Sequence, residues 1–226
     1  MGCDIHVLTE KFSKSSERWF NADYWKYNVF YDPEDGDDNE MELVPVYDAR
    51  NYELFATLAN VRNRPSIWEF MDGNAEKAVP LPFIAEPKGV PSDLGVHTKK
   101  YIDSWGEDGH SHSFLTLKEL YRYWINAPET VTRSGVLVGE VLKDFDEKGI
   151  KPRCWSAGYY GSQESGYRTW EVKCNPLDDF IEALFKRFDK ACYNFGFTEA
   201  DRKNETYQKI IEENGDLFRV VFFFDN

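Results

Sequence analysis

The feature that most constrains this chain is its C-terminal run Leu217-Phe218-Arg219-Val220-Val221-Phe222-Phe223-Phe224, interrupted only by Arg219. So apolar a segment reads as a central strand covered on both faces. The Asn214-Gly215 pair just before it is a turn signal. A central strand needs partners, and residues 3–9 supply a β-rich alternation at the other end of the chain. A polar turn from Lys11 to Glu17 then leads to a second short strand at Arg18–Phe20, the pattern of a hairpin. Strands at both termini with helices between predict one α+β domain spanning residues 1–226. Its sheet is expected to be mixed or antiparallel, with two to four helices and long irregular loops. A chain of 226 residues can bury such a core without disulfide or metal staples.

Between the terminal strands the periodicity is mostly helical. Leu54, Phe55, Leu58 and Val61 lie at helical spacing within Asn51–Val61. Thr116 and Glu119 have the capping-box separation, and Leu117, Leu120, Tyr121 and Trp124 line one face of the helix they open. Leu177–Phe195 is the strongest helix, with Pro176 and Asp178 near its start and Gly196 after its end. Ser134–Leu142 reads as a strand or the start of a helix that Gly149 ends, and Thr169–Cys174 alternates like a strand. Tyr24–Tyr31 is a further strand or an irregular aromatic segment, and Trp155–Gln163 a Gly- and aromatic-rich turn. Asn63–Gly109 is rich in Pro and Gly and reads as a long irregular region around a site, or a lid.

Charge excludes several functions. The 40 Asp and Glu outnumber 27 Lys and Arg, for a net charge of −13. Duplex nucleic acid is therefore an improbable partner, since phosphate affinity comes largely from Lys and Arg. Seven acidic residues fall between Asp32 and Glu42. This 32–42 segment is not a calcium loop, because Gly36 at the sixth position would put Tyr31 where the first aspartate belongs. It reads as a solvated loop. The N-terminus lacks a signal-peptide pattern, His6 stands where a myristoylation motif wants Ser or Thr, and no stretch is apolar enough to span a membrane. Cys3, Cys154, Cys174 and Cys192 form no C-x-x-C pair and read as reduced and buried. A cytoplasmic location is expected.

Three of the four histidines fall in two short settings. In Asp4-Ile5-His6 the polar side chains are two apart on a strand, so they share a face, with Cys3, Ile5 and Val7 toward the core. In Asp108-Gly109-His110-Ser111-His112-Ser113 the histidines are expected in a loop before the Thr116 helix. Each spacing lets one short segment offer two ligands, so Asp4, His6, His110 and His112 form a candidate shell for a divalent ion, zinc or manganese first. Such an ion activates water for hydrolysis. Without a metal, His110 and His112 with Asp108 suit general acid–base work. As ordinary residues, Asp4 and His6 would simply hydrogen-bond on a sheet face.

Arg50, Asn51, Arg62 and Asn63 bracket the Asn51 helix and are the candidate phosphate-binding set. Arg50 and Arg62 would lie about 18 Å apart along a helix axis, so joint grip on one phosphate requires the chain to turn back. The alternative is a charged, capped helix end. Tyr24, Trp25, Tyr27, Trp105, Trp155, Tyr159 and Tyr160 lie outside the clearest helices, where they either stack on a base or fill a core. No P-loop, dinucleotide fingerprint, nucleophile elbow or H-E-x-x-H occurs.

The opening Met-Gly-Cys-Asp-Ile-His, Arg50-Asn51-Tyr52-x-Leu54-Phe55, Ala59-Asn60-Val61-Arg62-Asn63, Glu86-Pro87-Lys88-Gly89, Asp108–Ser113 with Leu115–Leu120, and the final Phe224-Asp225-Asn226 together resemble the tailed-phage and prophage proteins of unknown function that begin MGCDIH. The resemblance implies a phage-encoded protein acting in the cytoplasm of an infected cell. The residues then suggest a metal-dependent hydrolase, a phosphodiesterase of small nucleotides such as host-defence signals. The alternative is a protein without turnover that sequesters a small ligand or inhibits a host protein. The expected partners are a small phosphorylated ligand and, in the alternative, a host protein, with neither duplex nucleic acid nor membrane.

Overall fold

The computed structural model describes residues 3–34, 40–63, 80–128, 130–152, 164–173, 175–192 and 204–225. Residues 35–39 of the acidic 32–42 run, the stretch 64–79, the Trp155–Gln163 turn, Cys154 and Cys174 lie outside the described residues. The first half contributes β1 (Ile5–Ser13), β2 (Arg18–Asn21), β3 (Tyr24–Tyr27), β4 (Met41–Val44), α1 (Tyr52–Ala59) and α2 (Val96–Trp105). The second half contributes β5 (His110–Thr116), α3 (Leu117–Asn126), β6 (Thr130–Val138), α4 (Glu140–Lys148), β7 (Ser165–Lys173), α5 (Asp178–Cys192), α6 (Glu205–Asn214) and β8 (Phe218–Phe224). The fold is α+β with antiparallel sheets, and strands from both termini share one of them. The chain forms two compact units, Met1–Arg50 with Glu86–Ile125 and Asp178–Asn226, and Asn51–Ala85 with Asn126–Leu177.

The first unit is built on the sheet β2-β1-β8-β5. Its centre is β8, all seven residues of which are buried, as so apolar a strand requires. β1 pairs antiparallel with it from Ile5 opposite Phe224 to Lys11 opposite Phe218. Because neighbouring residues project to opposite faces, the register sorts the side chains into two sets. Leu8, Val221 and Phe223 pack with Ile102 of α2 on one face, joined by Leu94, Tyr101, Trp105 and Phe114. Cys3, Ile5, Val7, Val220 and Phe222 are buried as well. On that second face α5 meets the sheet where Phe188 lies 5.0 Å from Phe218. α3 starts with the expected capping box: Thr116 Oγ1 accepts from the Glu119 N–H and Glu119 Oε2 from the Thr116 N–H. The hairpin β3–β4 completes the unit.

In the second unit β6 and β7 form an antiparallel ribbon. Asn51 caps α1, its Oδ1 accepting from the Glu53 and Leu54 N–H groups, and Asn60 ends it in the left-handed conformation at φ 57°. Leu137, Leu142 and Trp170 form one small core, and Ala56, Leu81 and Val131 another. Buried Arg133 of β6 pairs with Glu53 of α1.

One helix lies where the sequence suggested otherwise: α2 falls inside the region read as irregular. α6 occupies a stretch to which the sequence reading assigned no element, and it ends at the Asn214-Gly215 turn. The histidine segment His110–Ser113 is not a loop but the beginning of strand β5.

Candidate functional site

Strand register determines where the N-terminal pair points. His6 lies opposite Phe223 on β8, and its ring stacks on Phe223 at 4.7 Å between centroids. Trp105 of α2 covers the imidazole from another side at 4.0 Å. His6 Nε2 lies 3.0 Å from Asp225 Oδ2, and the Asp4 N–H donates to Asp225 Oδ1, also at 3.0 Å. A carboxylate can only accept, so Nε2 carries a proton toward Asp225, while Nδ1 lies 3.4 Å from the Tyr101 hydroxyl. The result is a chain Asp225–His6–Tyr101, drawing on the last described residue, the first strand and α2. Burial pushes the Tyr101 phenol up, so it is a hydroxyl donor at neutral pH.

Asp4 turns elsewhere. Its carboxylate takes both the Nε–H and an Nη–H of Arg50, and these hydrogen bonds hold it below the usual carboxylate range. The H-x-H pair is parted by a bulge: His110 pairs with Phe224 and Ser113 with Phe222, which leaves one extra residue on β5. Ser111 absorbs it at φ 52°. In a regular strand His110 and His112 would share a face; here His110 stacks on Phe224 and His112 on Phe223, whose side chains point opposite ways. Phe223 is thereby flanked by His6 and His112, so a phenyl ring separates the two imidazoles. Gly109 makes room for this row, since a Cβ there would meet Phe223 Cδ2 at 3.0 Å. Burial, with a smaller contribution from His110, pushes the His112 pKa down.

The proposed metal shell is therefore not assembled. Asp4 faces Arg50, His6 faces Asp225, His112 lies beyond Phe223, and His110 is on the other face. Among the described residues no group of three or more His, Cys, Asp or Glu is arranged to hold an ion. His110 Nδ1 contacts Ser111 Oγ at 2.9 Å, and its buried Nε2 has no hydrogen-bond partner among the described residues.

The candidate phosphate set is likewise dispersed into structural positions. Arg50 holds Asp4, and Asn51 is the N-cap of α1. Asn63 is buried and clamps the backbone of Leu81, donating to its carbonyl and accepting from its N–H, each at 2.8 Å. Arg62 is exposed at φ 57°.

What the first unit does contain is a cleft of about 1140 Å³ between the β3–β4 hairpin and α2. Trp25, Tyr101 and Trp105 wall it, and Asn21, Asp23, Glu40, Glu42, Lys100 and Asp108 contribute polar groups. Trp25 and Tyr101 meet edge to face at 6.2 Å. Asp23 is held rigidly, accepting from the Thr9 hydroxyl at 2.6 Å and from Asn21 Nδ2 at 2.8 Å. Burial pushes its pKa up, against those hydrogen bonds and the nearby Arg187. Of the acid–base candidates Asp108 lines the cleft, and Tyr101 links it to His6.

Sequence reasoning missed both Asp225 and α2. Asp225 reaches His6 only through the β1–β8 register, which local patterns do not encode. α2 did carry a cue: Thr98, Tyr101, Ile102 and Trp105 follow helical spacing, masked by a threonine at an apolar position and by the surrounding Pro and Gly. Comparison with family models, curated proteins and solved structures finds no match to this chain.

Proposed function

We propose that this chain binds a small molecule in the cleft between the β3–β4 hairpin and α2, and acts by sequestering it in the cytoplasm of a phage-infected cell. The observation that carries this reading is the cleft itself: about 1140 Å³, with three aromatic rings set among polar and charged side chains, of which Asp23 and Asn21 are held in place by hydrogen bonds. Small-molecule sites combine aromatic surface for affinity with positioned polar groups for orientation. Among the described residues no helix is long and apolar enough to cross a membrane. The test is to denature purified, undialysed protein and identify released small molecules by mass spectrometry, alongside a thermal-shift screen. A compound that is released and also raises the melting temperature of stripped protein is expected. Release of none and stabilisation by none would refute the reading.

A second reading, hydrolysis of the bound molecule, is favoured by the Asp225–His6–Tyr101 chain that backs onto the cleft. There Asp225 would orient the imidazole and His6 would exchange a proton with Tyr101. A small-nucleotide phosphodiesterase belongs to this reading. Turnover of the released compound, lost in His6→Asn but with binding kept, would select it over sequestration.

A further inference from the structure

We infer that the ligand of the cleft is an organic cation: an ammonium or guanidinium head on a small apolar body. This rests on the ligand-binding reading above and specifies its chemistry. Among the described lining residues Lys100 is the only lysine or arginine, whereas Asp23, Glu40, Glu42 and Asp108 are acidic. Two of these are already matched within the protein, Asp23 by Arg187 at 3.4 Å and Glu42 by Lys26 at 2.8 Å. Glu40 and Asp108 have no ion-pair partner among the described residues, and both are exposed. They leave the cleft with surplus negative charge.

The walls suit the same ligand. Trp25, Tyr101 and Trp105 line the cleft, and an aromatic ring attracts a cation placed over its face within about 6 Å. This chain already uses that contact, with the Arg187 guanidinium 4.5 Å from the Tyr24 ring and that of Arg219 4.0 Å from Trp19. A phosphorylated ligand would find the opposite of what it needs. Arg50 is committed to Asp4, and carboxylates face the space a phosphate would enter. Complementarity of charge and of ring quadrupole therefore favours a cation over an anion of the same size.

Isothermal titration of the full chain with benzyltrimethylammonium, benzyl alcohol and benzylphosphonate tests this. The cation is expected to bind roughly tenfold more tightly than the phosphonate and to weaken as salt is added. Asp108→Asn and Glu40→Gln, both at exposed positions, should each weaken it roughly two- to fivefold without lowering the melting temperature. Equal or tighter binding of the alcohol or phosphonate would overturn the cation assignment while leaving the ligand-binding reading intact. Cation affinity unchanged in the double variant would also overturn it, since binding would then lie elsewhere. Binding of none of the three, with no compound released from the purified protein, would remove both.

Discussion

Replacing Arg219 by methionine probes what holds α2, and with it one wall of the cleft, against the sheet. Arg219 is the single polar residue of β8 and is almost fully buried, with its guanidinium stacked on Trp19. Its Nε–H donates to Glu10 Oε2 at 2.8 Å and its Nη1 to Asp93 Oδ1 at 2.7 Å. The other oxygen of Glu10 accepts the N–H of Gly95, the residue that opens α2, at 2.8 Å. The two partners differ in weight. Asp93 is exposed, so its pairing contributes under about 1 kcal/mol. Glu10 has no exposed side-chain surface, and stripping its cation leaves a buried carboxylate unpaired, at a cost of about 3–5 kcal/mol. For a chain of this size that lowers Tm by roughly 6–20 °C. Urea unfolding and calorimetry measure the loss, and hydrogen exchange over residues 96–105 should quicken. Glu10→Gln with Arg219→Met should recover most of it, because no lone charge remains. A loss below about 1 kcal/mol in the single variant, or a double variant as unstable as the single, would refute the assignment of the cost to an orphaned carboxylate.

Three other outcomes separate structural roles from functional ones. Arg50→Ala should cost less than about 1 kcal/mol, because both partners are half exposed. Asp4, no longer held down by Arg50, should titrate higher, as a carbon-detected NMR titration would record. Asn63→Ala should cost roughly 2–4 kcal/mol by chemical denaturation, since it strands the buried N–H and carbonyl of Leu81; a near-neutral effect would reopen a binding role for Asn63. His112 resists protonation in the folded state, so the unfolded chain binds more protons as pH falls below the ordinary value of 6.5. Stability is therefore lost with acidification, and His112→Gln should flatten that loss between pH 7 and about pH 5; an unchanged slope would contradict it.

Where a side chain's fate depends on its own strand or helix, the sequence was informative. The apolar Phe218–Phe224 run is the central strand, and the Thr116–Glu119 capping box opens α3 as its spacing predicts. Asn51 and Asn60 likewise bound α1 by their intrinsic capping chemistry. The site depended on longer-range facts. One inserted residue at Ser111 reversed the relation of two histidines that alternation would have placed together. Asp225 reached His6 through the pairing of the two chain ends, 219 residues apart. The second unit is made of two separate stretches, Asn51–Ala85 and Asn126–Leu177, so no single linker in the sequence delimits it. Arg50 and Asn63, chosen for the chemistry their side chains can do, were already committed to a carboxylate and to a backbone clamp.

The central claim is that the cleft walled by Trp25, Tyr101 and Trp105 holds a small molecule. The indole N–H region of a two-dimensional NMR spectrum addresses it most directly, since the chain has seven tryptophans and Trp25→Phe and Trp105→Phe assign the two that matter. Adding benzyltrimethylammonium, or the compound released from the purified protein, should shift the Trp25 and Trp105 signals in a saturable way. Trp124 should stay in place, because its indole N–H is tied to Asp178 at 2.6 Å, away from the cleft lining. Saturable shifts confined to the other indoles, or none at all with any compound that stabilises the protein, would contradict the account.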